Sequence, residues 1–587
     1  MVEIKSAWKG LVARALADYA KEKGIQADLP AKESVVLERP PKSELGDLGF
    51  PMFPYAKILR AAPPSVAQAL AARIASYPEA KGLGEAEAEG PYLNVRLDRA
   101  SVIASVLDET SSASWGTCSS LEGKKVLVEF SSPNTNKPLH LGHLRNNVLG
   151  ESLSRILTAA GAEVRKFNHI DDRGVHICKS MLAYLAYGDG RTPQDEGLKG
   201  DHFVGKYYVL FNKLKEEDPK AEEKAQDMLL KWEQGDPATR ELWGKMRGWV
   251  LEGIAETYKR TGISFDVYDY ESELYEFGRQ EVLRGLEKGI FYREEDGSVQ
   301  VNLEDVGLDK KVLLRKDGTS IYITQDIGTA IHRHESWPYD RLVYVVGNEQ
   351  QYHFKVLFEV LKRLGFAWAS DLHHLSYGMV NLPSGRMKTR EGTVVDADDL
   401  VDEISSMAAK EIEAKGREGA VGDAQAVSEK IALGALHYYL LQTSPIKDML
   451  YDPAESLSFT GDTGPYIQYM GARSCSILRK SAAGEGNAVK GKVDPSLLSS
   501  DADWSVVKRI SELPEAVETA ASSMEPSVLS AYLHDLAADF STWYRDNPVL
   551  NNPDANLAAS RLELVRAAKC SFEIATALIC VPFLETM

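Results

Sequence analysis

The chain has 587 residues, too many for one hydrophobic core and enough for about three to four domains. It is 44% hydrophobic and 26% charged, the balance of a globular protein, and no apolar run reaches the ~20 residues of a membrane span. A net charge of −18 makes the chain a poor candidate for a non-specific coat on polyanions but leaves room for one folded RNA held on local basic patches.

The opening MVEIKSAWKGLVARALADYA has a helical period with charges throughout and no apolar core of the kind a signal peptide needs. A small mixed domain is expected over residues 1–115, with an alanine-rich helical stretch, SVAQALAARIASY, and an alternating strand, GPYLNVRLD. The segment SSASWGTCSS reads as a linker. A second domain, 120–395, begins with the apolar run Lys125–Phe130, typical of a buried parallel strand. A helical pattern ending at Gly161 and a second strand from Glu163 to Asn168 follow, and strand, loop, helix, strand is a βαβ unit with a parallel sheet. The charged, helical stretch at about 186–260 reads as an insertion on this α/β domain. Sheet-like runs resume at RLVYVVGNEQ and LHHLSYGMVNL, the latter giving a strand from Leu375 to Leu382. From 396 to 587 the pattern is almost continuous helix, a separate bundle. The five cysteines are scattered without a CxxC pair. That argues against a disulfide framework and a structural zinc site, and fits a reducing cytoplasm.

The loop after the first strand of a βαβ unit faces the carboxyl end of the sheet, and the next helix presents free N–H groups and a positive dipole end. His140-x-Gly142-His143 falls at this junction. The glycine permits close approach of a nucleotide, and the two imidazoles can donate to phosphate oxygens as charge builds up. Lys137 adds a point charge. With 12 His and 45 Gly in the chain, chance supplies about 0.02 such motifs. A second signal is the loop Gly385 to Gly392, with Arg386, Lys388 and Arg390 as three cations in five residues. A loop of that kind clamps a triphosphate and stabilises departing pyrophosphate.

Together these stretches resemble the HIGH and KMSKS signatures of class I aminoacyl-tRNA synthetases, and in finer detail the arginyl-tRNA synthetases. The extended form SPNxxKPxHxGHLR matches Ser132 through Arg145 without a gap. The 385–392 loop resembles that family's M-(S/K)-T-R-x-G form, with Thr389 where class I enzymes at large have a second lysine, and the family is thought to compensate through Lys137. Phe265-Asp266 with Tyr270-Glu271-Ser272, the run Asp317 to Gly328, Gly347-x-x-Gln350-x-x-His353-Phe354, and Gly461 to Arg473 resemble further ordered motifs of the family. The segment Asp172-Arg173-Gly174-Val175-His176 departs from it, since a glutamine is usual where His176 stands.

The resemblance implies a Rossmann-like catalytic domain between a small α+β N-terminal domain and an all-α anticodon-binding bundle. It implies an arginine–tRNA ligase that uses ATP with Mg²⁺, L-arginine and tRNA(Arg), acting as a cytoplasmic monomer without a dedicated protein metal site. His140, His143, Lys137, Lys388 and Arg390 are the expected catalytic residues. Pro138, Gly142, Met379, Val380 and Met387 join the histidines at ATP. Glu271 and Asp326 are expected to receive the guanidinium, a planar cation with five donors. Tyr322 would pack on it, and Ser132, Asn134 and Gln350 would orient the amino-acid end. Tyr92 and Asn94 match a patch that stacks on a base of the tRNA elbow. Tyr469, Arg473 and Tyr544, with Trp543 and Arg545, stand where anticodon bases are read. The scattered cysteines weigh against the zinc-dependent cysteinyl enzyme. The helical C-terminal region weighs against a small nucleotidyltransferase, and joint retention of both histidines, Lys137 and the substrate acids against a non-catalytic tRNA-binding relative.

Overall fold

The computed structural model describes residues 1–26, 28–381, 395–414 and 422–587. Met387, Lys388, Thr389 and Arg390 therefore lie outside the described residues. In α1 (Val2–Glu22), Trp8, Val12, Ala15 and Leu16 recur at helical spacing and are fully buried. This face packs on α2 (Pro63–Ile74), which covers an antiparallel sheet of β1 (Leu48–Pro51), β2 (Gly84–Glu89) and β3 (Tyr92–Leu97) in the order β1-β3-β2. Side chains alternate along β3, so Leu93, Val95 and Leu97 enter the core while Tyr92, Asn94 and Arg96 take the other face. The helix α3 (Arg99–Glu109) follows.

The central sheet has five parallel strands: β4 (Lys125–Glu129), β5 (Glu163–Ile170), β6 (Val267–Tyr270), then, after an antiparallel excursion β7 (Tyr292–Arg293), β8 (Val299–Val301) and β9 (Lys311–Leu314), the strands β10 (Arg341–Gly347) and β11 (Leu372–Tyr377). Their order is β11-β10-β4-β5-β6. The chain thus winds one way from β4 and then returns to add β10 on its other side. The crevice at the carboxyl ends of β4 and β10 is where such sheets bind ligands. Val126, Val128, Val343 and Val345 enter one core, shared with α4 (Leu141–Ala159). Leu127, Leu342 and Tyr344 enter a second, on the opposite face of the sheet. Between β5 and β6 run α5 (Val175–Tyr187) and the insertion helices α6 (Gly200–Glu217), α7 (Ala221–Glu233) and α8 (Pro237–Thr261).

The second core is covered by α9 (Phe277–Glu287), α10 (Tyr322–Ser336) and α11 (Gln351–Arg363). At the α9–α10 contact a Cβ on Gly278 would overlap the carbonyl oxygen of Thr324. Gly278→Ala is expected to lower stability by about 3 kcal/mol, read from the urea midpoint, because the obstacle is backbone that cannot rotate away.

The expected strand Leu375–Leu382 is interrupted. After β11 the chain turns at Gly378, whose N–H donates to Pro445 O at 2.9 Å, and β12 (Val380–Asn381) pairs with β13 (Met449–Leu450) instead of β10. A Cβ on Gly378 would meet Lys447–Asp448 at 2.5 Å, so only glycine permits this contact. Arg145 of α4 fastens the junction, donating to Gly378 O at 2.6 Å, Pro445 O at 3.1 Å and Lys447 O at 2.8 Å. Its burial without a hydrogen-bonded carboxylate brings the guanidinium down to about 10. The expected helical region holds α12 (Ala397–Ala414), α13 (Ala424–Leu441), α14 (Gly464–Ala482), α15 (Asp501–Ser511), α16 (Leu513–Ser523), α17 (Ser527–Asp546) and α18 (Ala555–Leu578), with β13 as an exception. The N-terminal residues dock on it: Trp504 Nε1 donates to Asp47 at 2.8 Å and Arg99 pairs with Asp501 at 2.7 Å. Among the described residues no helix is long and apolar enough to cross a membrane.

Candidate active site

Beyond β4 the chain turns sharply, with Ser131 and Ser132 both left-handed at φ 75° and 46°. For non-glycine residues this is strained and must be held by surroundings. Ser131 N–H donates to Asn146 Oδ1 at 2.5 Å and its hydroxyl meets Tyr258 at 2.6 Å, while Ser132 N–H donates to Asn168 Oδ1 at 3.1 Å. The next residues pair with the end of β5 through an Asn134–Asp171 bridge. The chain then passes Lys137 and Pro138, against which Gly205 of α6 packs so closely that a Cβ there would stand 2.8 Å from Pro138.

His140 caps the N-terminus of α4: its Nδ1 accepts the Gly142 N–H at 3.1 Å. His143 Nδ1 accepts the His140 N–H, also at 3.1 Å. Both Nδ1 atoms are acceptors, so each neutral ring carries its proton on Nε2. Burial brings His140 down to about 4 and His143 well below its ordinary value, with Lys137 pushing both the same way. At neutral pH the pair therefore offers two uncharged Nε2–H donors on rings tilted by 44° with centroids 3.9 Å apart. Gly142 is required at its position, since a Cβ would sit 2.9 Å from the His140 ring. Burial also lowers Lys137, opposed by Asp171. Both roots of the 382–394 segment lie at this turn. Met379 and the buried Val380 precede it, and after it Val395 O accepts Leu141 N–H at 3.1 Å.

Strand alternation delivers a second group of residues to the face covered by α10. Glu129 and Asp269 both pair with the fully buried Arg333 of α10, the latter at 2.6 Å. Glu271, just past β6, is pushed up to about 7 by burial, with Asp172 and Asp326 adding to the rise and Arg173 and Gln325 opposing it. Burial, Glu271 and Asp326 raise Asp171 well above the carboxylate range. His353 donates to Asp326 at 2.6 Å. The structure thus gathers Glu271, Asp326 and the turn bearing Ser132 and Asn134 at one end of the sheet. Two residues in this group escaped sequence reasoning, Glu129 and Asp171, while His353 is named there only as part of a motif. A two-residue alternation from Leu127 to Glu129, and from Phe167 to Asp171, is the signal for the two acids. Tyr322, expected to pack on the guanidinium, is 79% exposed, and Gln350, expected at the amino-acid end, is also exposed.

Of the RNA candidates, Tyr92 is half-buried and Asn94 nearly buried opposite Gly49. Arg473 lies over the rings of Tyr469 and Tyr544 at 4.6 and 5.7 Å, at a cleft of about 740 Å³ that Arg479, Lys480 and Arg545 also line. Trp543 is core, its Nε1 donating to Asp503 at 2.8 Å. His176 meets Tyr208 of α6 edge-on at 6.3 Å, joining the insertion to α5. Among the described residues one group has metal-ligand spacing, Asp201, His202 and Asp398. Lys199 Nζ already stands 3.0 Å from Asp201 and 2.6 Å from Asp398, supplying the cation there.

A parallel sheet whose switch point carries a two-histidine helix cap is an arrangement of nucleotide-activating enzymes, and together with the helical C-terminal region it fits a class I aminoacyl-tRNA synthetase. Family models agree along the chain: arginyl tRNA synthetase N terminal domain at 6–97, tRNA synthetases class I (R), catalytic domain at 105–452, and DALR anticodon binding domain at 467–587. Arginine–tRNA ligases of Treponema denticola and Treponema pallidum are 54% and 51% identical, each aligned over 100% of both chains. The arginyl-tRNA synthetase of Thermus thermophilus superposes with a TM-score of 0.79 at 29% identity, covering 98% of this chain and 99% of that one. The chain belongs to the arginyl-tRNA synthetase family.

Proposed function

We propose that the crevice between β4 and β10 carries out both steps of the arginine–tRNA ligase reaction with the residues placed there. The arginine carboxylate attacks the α-phosphorus of ATP in line, the bond to the β-phosphate oxygen breaks, and pyrophosphate leaves. The 2′-hydroxyl of the terminal tRNA ribose then attacks the adenylate carbonyl, releasing AMP. The first step needs positioning and charge stabilisation and no general base. His140 and His143 donate Nε2–H to the phosphates, Gly142 and Pro138 admit the nucleotide, and Met379, Val380 and Met387 border it. Lys137 supplies the fixed cation, joined by Lys388 and Arg390. Glu271 and Asp326 receive the guanidinium, with Tyr322 closing over it and Ser132, Asn134 and Gln350 at the amino-acid end. Mg²⁺ arrives with ATP on phosphate and water ligands.

The tRNA would meet residues 1–115 at its elbow through Tyr92 and Asn94, and 396–587 at its anticodon through Tyr469, Arg473 and Tyr544. Residues 120–395 carry the chemistry, in a cytoplasmic monomer. The observation that carries this reading is a neutral histidine pair after β4 and an acidic group around Glu271 after β6, both at the carboxyl end of one parallel sheet. Amino-acid-dependent ATP–pyrophosphate exchange, with and without tRNA(Arg), is the test. Exchange driven by arginine is expected, with full rate when tRNA is present. Exchange driven by another amino acid, or none with tRNA present, overturns the reading.

A further inference from the structure

Arg173 follows the end of β5 and is almost buried. Its guanidinium pairs with Glu233, the last residue of insertion helix α7, and lies over the rings of Tyr275 at 4.3 Å and Trp232 at 5.7 Å. These anchors leave Nη1 3.7 Å from Glu271 Oε1. That separation is too long for a hydrogen bond but short enough for strong attraction. A hydrogen-bonded arginine would occupy the lone pairs that a substrate fork needs, whereas a held-off one does not.

The other groups facing Glu271 are Asp171 and Asp172 from the turn after β5, and Gln325 and Asp326 from α10. Asp172, fully buried, receives Ser272 N–H and hydroxyl at 2.8 Å each. Arg247 of α8 lies 2.7 Å from it and 4.2 Å over the Tyr270 ring. The insertion therefore anchors one arginine and supplies another beside this carboxylate.

We propose that Arg173 is a positioning residue for arginine binding, held by the insertion as a counter-charge to Glu271 that leaves its acceptor positions open to substrate. The inference rests on the placement of Glu271 at the substrate guanidinium. Arg173 does not touch substrate and acts through Glu271. Burial brings Glu271 to about 7, so it is charged above that pH and neutral below. Removing a neighbouring cation moves that transition upward.

The test is aminoacylation by the full-length enzyme from pH 6 to 8.5, giving the KM for arginine and for ATP. In the wild type, the arginine KM is expected to fall as pH rises through about 7 and then level off. Arg173→Met should move this fall alkaline by about one unit, a rise of about fivefold in arginine KM at pH 7 because the wild-type carboxylate is itself only half charged there, with the ATP KM within about twofold. Arg173→Lys, which keeps a charge, should restore the midpoint. Glu233→Gln frees Arg173 to bond Glu271 directly, and should raise the arginine KM about tenfold even on the alkaline plateau. An unmoved midpoint in Arg173→Met, or a parallel rise in ATP KM, overturns the proposal. Glu271→Gln is the control: if it leaves arginine KM unchanged at pH 8, the placement of Glu271 itself is what fails.

Discussion

Glu271→Gln is expected to raise the arginine KM by about 10²–10³-fold with the ATP KM within about twofold. The substitution preserves shape and one acceptor but removes the charge. A charge-assisted bond to a guanidinium is about twice as strong as a neutral one, and a buried cation left without its partner costs about 3–5 kcal/mol. Each 1.4 kcal/mol is about a factor of ten. The loss falls on arginine because Glu271 stands at the end of β6, beside Asp172, Arg173 and Asp326, whereas the histidine turn proposed for ATP follows β4. Arginine KM from pyrophosphate exchange, checked against thermal unfolding, decides it. An equal rise in both constants would remove Glu271 from the guanidinium pocket.

The second large effect concerns the histidine pair. His140→Asn should lower kcat for exchange by about 10²–10³-fold without altering arginine KM. Asparagine is among the best N-caps, so α4 keeps its start while the Nε2–H donor is lost. The wild-type rate at saturating arginine should show no titration of this residue between pH 5.5 and 8. A folded value of about 4 means the ring gains its proton only far below that window. A midpoint near 6.5 that disappears in His140→Asn would show a charged imidazole at work and sink the neutral-donor mechanism.

The path from residues to site was uneven. Strand, loop, helix and strand from Lys125 to Asn168 were legible, because apolar spacing is a local property and the glycine of the motif marks a close approach. The continuous strand expected over 375–382 is broken, because Val380–Asn381 pair with Met449–Leu450, which no local pattern announces. Trp543 reads as an RNA-facing aromatic in sequence, yet its indole is buried on Asp503. The charged stretch around 186–260 reads only as surface. Its Glu233, Trp232 and Arg247 instead reach Arg173 and Asp172 at the edge of the acidic group.

By itself the sequence determined the sheet's opening unit, the two-histidine turn and, through ordered motifs, the family. Hydrophobic period and short motifs are written in consecutive residues. Only the tertiary structure decided which carboxylates share a field and which imidazole nitrogen carries the proton. Glu129, Asp171, Glu271 and Asp326 are far apart in the chain, and the adjacency of β4, β5 and β6 with α10 packed over them brings them to one end of the sheet. A charge's pKa depends on distance in space and on burial, and neither quantity is carried by any single stretch of chain.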